Sequence, residues 1–336
     1  MITFLVSITA LIAGYFIYGR YIERFFGASP EIVPPARRMA DGVDYKELKP
    51  WRIFIIQFLN IAGLGPIFGA VLGAAYGPVA YLWIVLGCIF MGAAHDYFSG
   101  MLSVRNDGMS LPDMVGKYLG PGVKKFLLIF TSFILIAVGV SFVTGPADLM
   151  QSLTGWDKRI WLYVIFAYYI IATLLPIDRI IGRIYPFMGA ILLFMAVAVA
   201  SAMVWKGFSG EVRMVELTAD TFRNFHSNPE KNVLIPMMFI VISCGAISGF
   251  HSTQSPIMSR CLGNEKYGRP IFYGAMIAEG IVAMIWATAA MAYFNGPEGL
   301  NAAADGGMTP AIIVDTICKS WLGKVGAVIA ILGVVV

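Results

Sequence analysis

A handful of ionisable and hydrogen-bonding side chains stand where the rest of this sequence is apolar, and they limit the chemistry open to it. Glu279 lies about nine residues into the apolar run 270–294, ~14 Å from its start at 1.5 Å per helical residue. A carboxylate at that depth is costly unless neutralised or paired. It is either a proton carrier or cation ligand, or a protonated group hydrogen-bonded between helices. His95 and Asp96 stand together near the end of the run 78–101, as a proton relay or as a structural cap. His251 sits within Ser243–Pro256, beside Ser243, Ser248, Ser252, Thr253, Gln254 and Ser255, with Gly245 and Gly249 among them. Asn60, Gly63, Gly65 and Pro66 interrupt another apolar run in the same way.

These groups suit the binding of a small solute and of a coupling H+ or Na+ better than covalent catalysis. HExxH, GxSxG and Walker A patterns are missing, as is a close carboxylate pair within an apolar run, so no catalytic residue is assigned. Ser and His on separate helices leave a membrane-embedded enzyme as an alternative, and a nutrient sensor as another. Cys88 and Cys244 lie inside apolar runs, Cys261 just beyond one, and Cys318 by itself in a loop. That spacing makes neither a disulfide framework nor a metal site. With no nicotinamide, flavin or haem motif, no cofactor is expected.

The elements that must hold these residues follow from composition. The 336 residues are 58% hydrophobic and 13% charged, with mean hydropathy +0.76, whereas a soluble domain carries about a quarter charged residues. The charges cluster between apolar runs of membrane-crossing length. The fold class is therefore all-α, polytopic and embedded in a lipid bilayer. The net charge of +4 belongs to short loops and implies no nucleic-acid partner. Nine spans are expected, at 1–19, 51–75, 78–101, 123–145, 160–177, 184–206, 233–259, 270–294 and 321–336. The last is about 16 residues, short of the ~20 that cross a bilayer, so the chain reads as the N-terminal part of a longer protein.

The second and seventh spans are the most polar and the most interrupted by Gly and Pro. Proline lacks the N–H of a helical bond and glycine weakens the same turn. In lipid such breaks persist only against protein or a water-filled cavity. Standing five spans apart, the two cross in opposite directions, as in an inverted repeat whose broken helices meet at the midplane. Gly65–Pro66 and Ser255–Pro256 each predict a half-helix starting at the proline, with free N–H groups for an anion such as a carboxylate. Gly65, Gly69, Gly73 and Gly77 form a GxxxG ladder, a helix-packing face. Sixteen of the twenty-four Lys and Arg fall in loops 18–52, 102–125, 178–183 and 260–269, which predicts that these loops are cytoplasmic and the N-terminus outside. Pro310–Trp321 predicts a short helix over the outer vestibule, after a loop at Asn295–Thr309.

The stretches NIAGLGPIFGAVLGAAYGPVAYLW (60–83), GCIFMGAAHDYFSGMLSVRNDGMSLPDMVGKYLG (87–120) and CGAISGFHSTQSPIMSR (244–260) closely resemble the carbon starvation protein A family of bacterial inner-membrane transporters. The resemblance implies uptake of peptides or pyruvate, cation-coupled, during carbon starvation. It also implies the five-plus-five inverted repeat of the leucine transporter, within the amino acid–polyamine–organocation superfamily. On that reading 1–336 is one transmembrane domain: an extra N-terminal helix at 1–19, a first repeat at 51–206 and a partial second repeat at 233–336. Substrate would bind at Asn60, Gly63, Gly65, Pro66, Ser243, Ser248, His251, Ser252, Thr253 and Gln254. Glu279, His95 and Asp96 would carry the coupling ion.

Overall fold

The computed structural model describes residues 1–174, 177–247 and 251–335, and all regular structure among them is helical. Helices α1 (Ile2–Phe16) and α2 (Tyr18–Phe26) are two parts of one rod, so the first apolar element runs to Phe26 rather than ending at Gly19. Gly27, in the left-handed region at φ 70°, closes it as a glycine cap. After the short α3 (Pro35–Arg38) come α4 (Pro50–Ile61) and α5 (Leu64–Gly73). The second span is broken as expected, with a bend of 46°. Its second half starts earlier than predicted, however: Gly63 is the N-cap and Pro66 the third residue of α5. A proline fits there because the first-turn N–H groups have no helical acceptor to lose.

Helices α6 (Val79–Leu86) and α7 (Ala93–Arg105) form one rod joined by a π-helical turn at Gly87–Gly92. The extra residue of such a turn rotates everything after it by about 100°. Next come α8 (Leu111–Leu119), α9 (Pro121–Thr154), α10 (Lys158–Leu174) and α11 (Ile177–Phe208). The backbone is helical over 178–183, where a loop is predicted. The seventh span consists of α12 (Leu234–Val241), α13 (Ser243–Ala246) and α14 (His251–Ser259). Here too the prediction fails in detail, since Pro256 lies inside α14 rather than at its start. A rod over Glu265–Tyr293 contains α15 (Gly274–Tyr293), and α16 (Pro297–Asp305) occupies much of the expected loop. In α17 (Pro310–Val335), Gly323 at φ 70° separates a first segment from the second, which matches the short helix predicted before the last span.

Five described helices are long and apolar enough to cross a membrane, or six if the bent α4–α5 pair counts as one span. Nine crossings were expected. The expected spans without such a helix among the described residues are 160–177, 233–259 and 321–336. The chain is a multi-pass membrane protein. Its core is the Glu265–Tyr293 rod, buried over most of its length, with Trp286 and Tyr273 among the largest enclosed side chains. By contrast, the most apolar stretch of α9 has no buried residue. The glycine ladder packs as predicted: a Cβ on Gly65 would stand 2.8 Å from Cys244 Sγ, and one on Gly69 2.8 Å from the Val241 carbonyl. The two broken spans therefore touch along α5.

Loop contacts sort the two ends of the molecule. At one end, Arg38 pairs with Asp107, Arg105 with Glu265, and the Leu48 N–H donates to the Cys261 carbonyl at 3.1 Å. Three of the four loops rich in Lys and Arg thus share a face. At the other end, Glu216 accepts from the N–H groups of Ile2 and Thr3, and Asn301 donates to the carbonyls of Ala75 and Phe225. This alternation is the one that the loop parity implies.

A buried polar centre between the two broken spans

Four helices bring carboxylate, imidazole and amide groups together where no side chain is exposed. His251 lies on α14, and its Nε2 is 2.8 Å from Glu279 Oε2 on α15. Its Nδ1 lies 3.6 Å from Asp96 Oδ2 on α7. Asp96 in turn accepts from Gln57 Nε2 of α4 at 3.2 Å and from the Ser255 hydroxyl of α14. Gln57 Nε2 also reaches Ser255 Oγ at 3.0 Å. Gln57, Asp96, His251, Ser255 and Glu279 all have 0% exposure. The π-helical turn before α7 sets the rotation that aims Asp96 at α14.

The centre is close but incompletely bonded. Neither His251 nitrogen, neither Glu279 oxygen nor Gln57 Oε1 makes an aligned hydrogen bond. The 2.8 Å contact is thus a close approach rather than a directed bond. Buried polar atoms are usually satisfied, and exceptions concentrate where groups change state. Net charge in such a place is costly, so the protons on these three groups must be balanced together. A neutral imidazole donates through one nitrogen and accepts at the other. His251 can therefore take a proton on the Glu279 side and release one on the Asp96 side. Among the described residues, no group of three His, Cys, Asp or Glu is arranged to hold a metal ion.

The expected substrate residues divide. Asn60 Nδ2 donates to Gln254 Oε1 at 3.2 Å, joining the two breaks directly. Asn60, Gly63, Gly65, Ser252, Thr253 and Gln254 are half-buried, Pro66 is buried and Ser243 is exposed. Ser248 lies outside the described residues. His251 belongs to the carboxylate centre rather than to this half-buried rim. His95 and Asp96, read as a pair, part company: Asp96 is buried while His95 is exposed. The earlier start of α5 moves its free N–H groups to Leu64 and Gly65. Gln57 and Ser255 complete the centre without having been singled out as site residues. Gln57 stands three residues before Asn60, a helical spacing that puts both on one face, and this signal is present in the sequence. Grooves of about 470, 450 and 430 Å³ open elsewhere on the molecule, and none of the three is lined by the breaks.

The sequence profile of the family described as Carbon starvation protein CstA matches residues 1–145 and 136–327. The chain belongs to this family. An uncharacterized membrane protein of Haemophilus influenzae is 44% identical over 91% of the chain and 95% of its own length. The pyruvate/proton symporter BtsT of Escherichia coli is 25% identical over 84% of the chain and 48% of its own length. The peptide transporter CstA of the same organism is 25% identical over 83% of the chain, again with 48% of its length covered. The chain thus spans about half the length of these two transporters. No solved structure matches it.

Proposed function

We propose that the chain forms the substrate and coupling core of a proton-coupled importer of small carboxylates, pyruvate or short peptides, used when carbon is scarce. The observation that carries this reading is the buried His251, placed between Glu279 and Asp96. A titratable chain of that kind is what proton coupling needs inside a membrane. Membership of the CstA family and the names of two relatives, a pyruvate/proton symporter and a peptide transporter, support transport as the activity. The substrate carboxylate binds at the rim formed by Asn60, Gly63, Gly65, Ser243, Ser252, Thr253 and Gln254, beside the N–H groups that open α5. Entry requires the Asn60–Gln254 contact to part.

The architecture of this reading is the five-plus-five inverted repeat with one extra N-terminal helix. Contact between two broken spans five apart supports it. The loops rich in Lys and Arg face the cytoplasm of a bacterial inner membrane, and the N-terminus faces out. Cysteines placed at Asp44 and Glu230 test the orientation in intact cells. Labelling is expected at Glu230→Cys and not at Asp44→Cys, and the reverse pattern overturns it.

Transport itself is tested with purified protein in liposomes carrying an imposed pH gradient. Labelled pyruvate and dialanine are expected to accumulate, and Glu279→Gln is expected to abolish gradient-driven accumulation. The amide keeps the volume of the side chain but cannot gain or lose a proton. Accumulation at the wild-type level in Glu279→Gln would return Glu279 to a structural role.

A further inference from the structure

Below the carboxylate centre, the interface of α7 with α14 is lined by hydroxyl groups. Asp96, Ser99 and Ser103 follow one another on α7 at spacings of three and four residues, which puts them on one face. Ser255 and Ser259 stand four apart on α14. The two ends of this seam are fixed by contacts: Ser255 donates to Asp96, and Ser103 Oγ lies 2.8 Å from Ser259 Oγ. Ser99 lies between them, 6% exposed, and its hydroxyl has no hydrogen-bond partner. Ser103 and Ser259 are fully buried. Beyond them the seam meets Met109 and Asn106, whose side-chain oxygen accepts from the exposed Lys117 at 2.7 Å.

The lower pair has an unusual degree of freedom. Ser103 can donate to the Met109 carbonyl at 2.8 Å, Ser259 to the Pro256 carbonyl at 2.6 Å, and either one to the other. Two hydroxyl hydrogens thus serve three bonds, because each hydroxyl has one hydrogen and two lone pairs. The pair has two complete arrangements, related by turning both hydroxyls. A hydroxyl relay needs this reversal to reset after each proton.

We propose that the hydroxyl seam of Ser255, Ser99, Ser103 and Ser259 is the path by which the coupling proton leaves the Glu279–His251–Asp96 centre toward the face that carries Asn106 and Lys117. The proposal rests on the proton-coupled reading given above. A proton arriving on Glu279 passes to His251 Nε2 as the Nδ1 proton leaves for Asp96. Asp96 gives its proton to the seam, where each hydroxyl accepts one proton on a lone pair and yields its own. One proton enters, one leaves, and every group returns to its starting state once the hydroxyls turn back and the imidazole, left with its proton on Nε2, turns over to present that N–H to Asp96 again.

The test uses the full chain in proteoliposomes, with labelled pyruvate as the probe and an entrapped pH-sensitive dye. Net uptake driven by a pH gradient requires proton release, whereas pyruvate–pyruvate counterflow does not. Ser99→Ala is expected to slow gradient-driven uptake and the dye signal by about tenfold or more, within the range of a positioned proton-transfer group. Counterflow should stay near the wild-type rate, and Ser99→Thr should restore net uptake because it keeps the hydroxyl. If Ser99→Ala loses counterflow as well, the seam is judged by the same criterion on the Ser103→Ala/Ser259→Ala double variant, further from the centre. Wild-type net uptake in these alanine variants, with Glu279→Gln inactive, overturns the seam and leaves the coupling site standing. Wild-type uptake in Glu279→Gln would instead remove the coupling reading on which the seam depends.

Discussion

Glu265 and Glu279 lie on the same helical rod with no exposed surface, yet their surroundings differ in kind. Glu265, at the loop end, accepts from Arg105 Nε and Nη2 at 3.1 Å each and from the Ser29 N–H at 3.0 Å. Arg105 is itself tied to the Gly27 carbonyl at 2.7 Å and stacked over the Phe26 ring at 4.3 Å. A guanidinium stays protonated under all ordinary conditions, so this pair holds one charge state and clasps three segments. Glu279 faces an imidazole, which changes charge near neutrality, and has no aligned hydrogen bond to either oxygen. Full satisfaction by a permanent cation makes a structural pair. Incomplete satisfaction beside a titratable partner makes one that can switch.

The largest expected effect breaks the first of these pairs. Removing one partner of a buried ion pair costs about 3–5 kcal/mol. Arg105 is one-third exposed, so Arg105→Ala should lose about 3 kcal/mol, at the lower end of that range. Glu279→Gln should stay within about 1 kcal/mol of the wild type, since it removes a buried ionisable group while keeping its shape. Denaturation of the purified proteins in detergent measures both. Equal losses would erase the distinction drawn between the two carboxylates.

A second contrast separates the core from the lipid-facing periphery. A Cβ at Gly69 would meet the backbone carbonyl of Val241, whereas one at Gly139 in α9 meets nothing within 4 Å. Gly69→Ala should therefore destabilise by about 1–3 kcal/mol, as an overpacked contact does. Gly139→Ala should be neutral or gain up to about 1 kcal/mol of helix propensity. A Gly69→Ala protein as stable as Gly139→Ala would mean that the two broken spans do not depend on this close approach.

The breaks were legible in the sequence because a backbone in lipid must satisfy its own polar groups, so Gly63, Pro66 and the run around His251 stand out against apolar neighbours. Their meeting was legible for the same reason, since only protein can cover them. The exact helix starts were not. Proline is compatible with a first turn, but it is also tolerated within a crossing helix when neighbouring groups satisfy the freed carbonyl, and α14 uses it that way. The composition of the centre was hidden more deeply. Gln57, Asp96 and Ser255 meet across separations of 39, 159 and 198 residues. Their meeting depends on a π-helical turn at Gly87–Gly92 that no residue pattern announces. His95 looked equivalent to Asp96 in the sequence, yet neighbours on a helix stand about 100° apart, so only one of the two faces α14.

The smallest effect concerns a third carboxylate, which completes the comparison because it is neither buried nor paired with a charged side chain. Glu216 lies in the loop after α11 and receives the N–H groups of Ile2 and Thr3, the Thr3 hydroxyl and the amino group of Met1. Burial pushes its pKa up, but these donors outweigh burial and bring it from 4.5 to about 2. A carboxylate at a helix N-terminus satisfies donors that lack helical acceptors and meets the positive end of the dipole. Because the folded-state pKa is the lower one, the stabilisation is fully present above pH 4.5 and is lost as pH falls toward 2. Glu216→Gln should therefore cost about 0.3–1 kcal/mol at neutral pH, and the cost should vanish below pH 2, where the wild-type carboxylate is also protonated. Melting of both proteins across that pH range decides it. A difference that persists unchanged at the acid end would assign the role of Glu216 to packing of the loop rather than to its charge on α1.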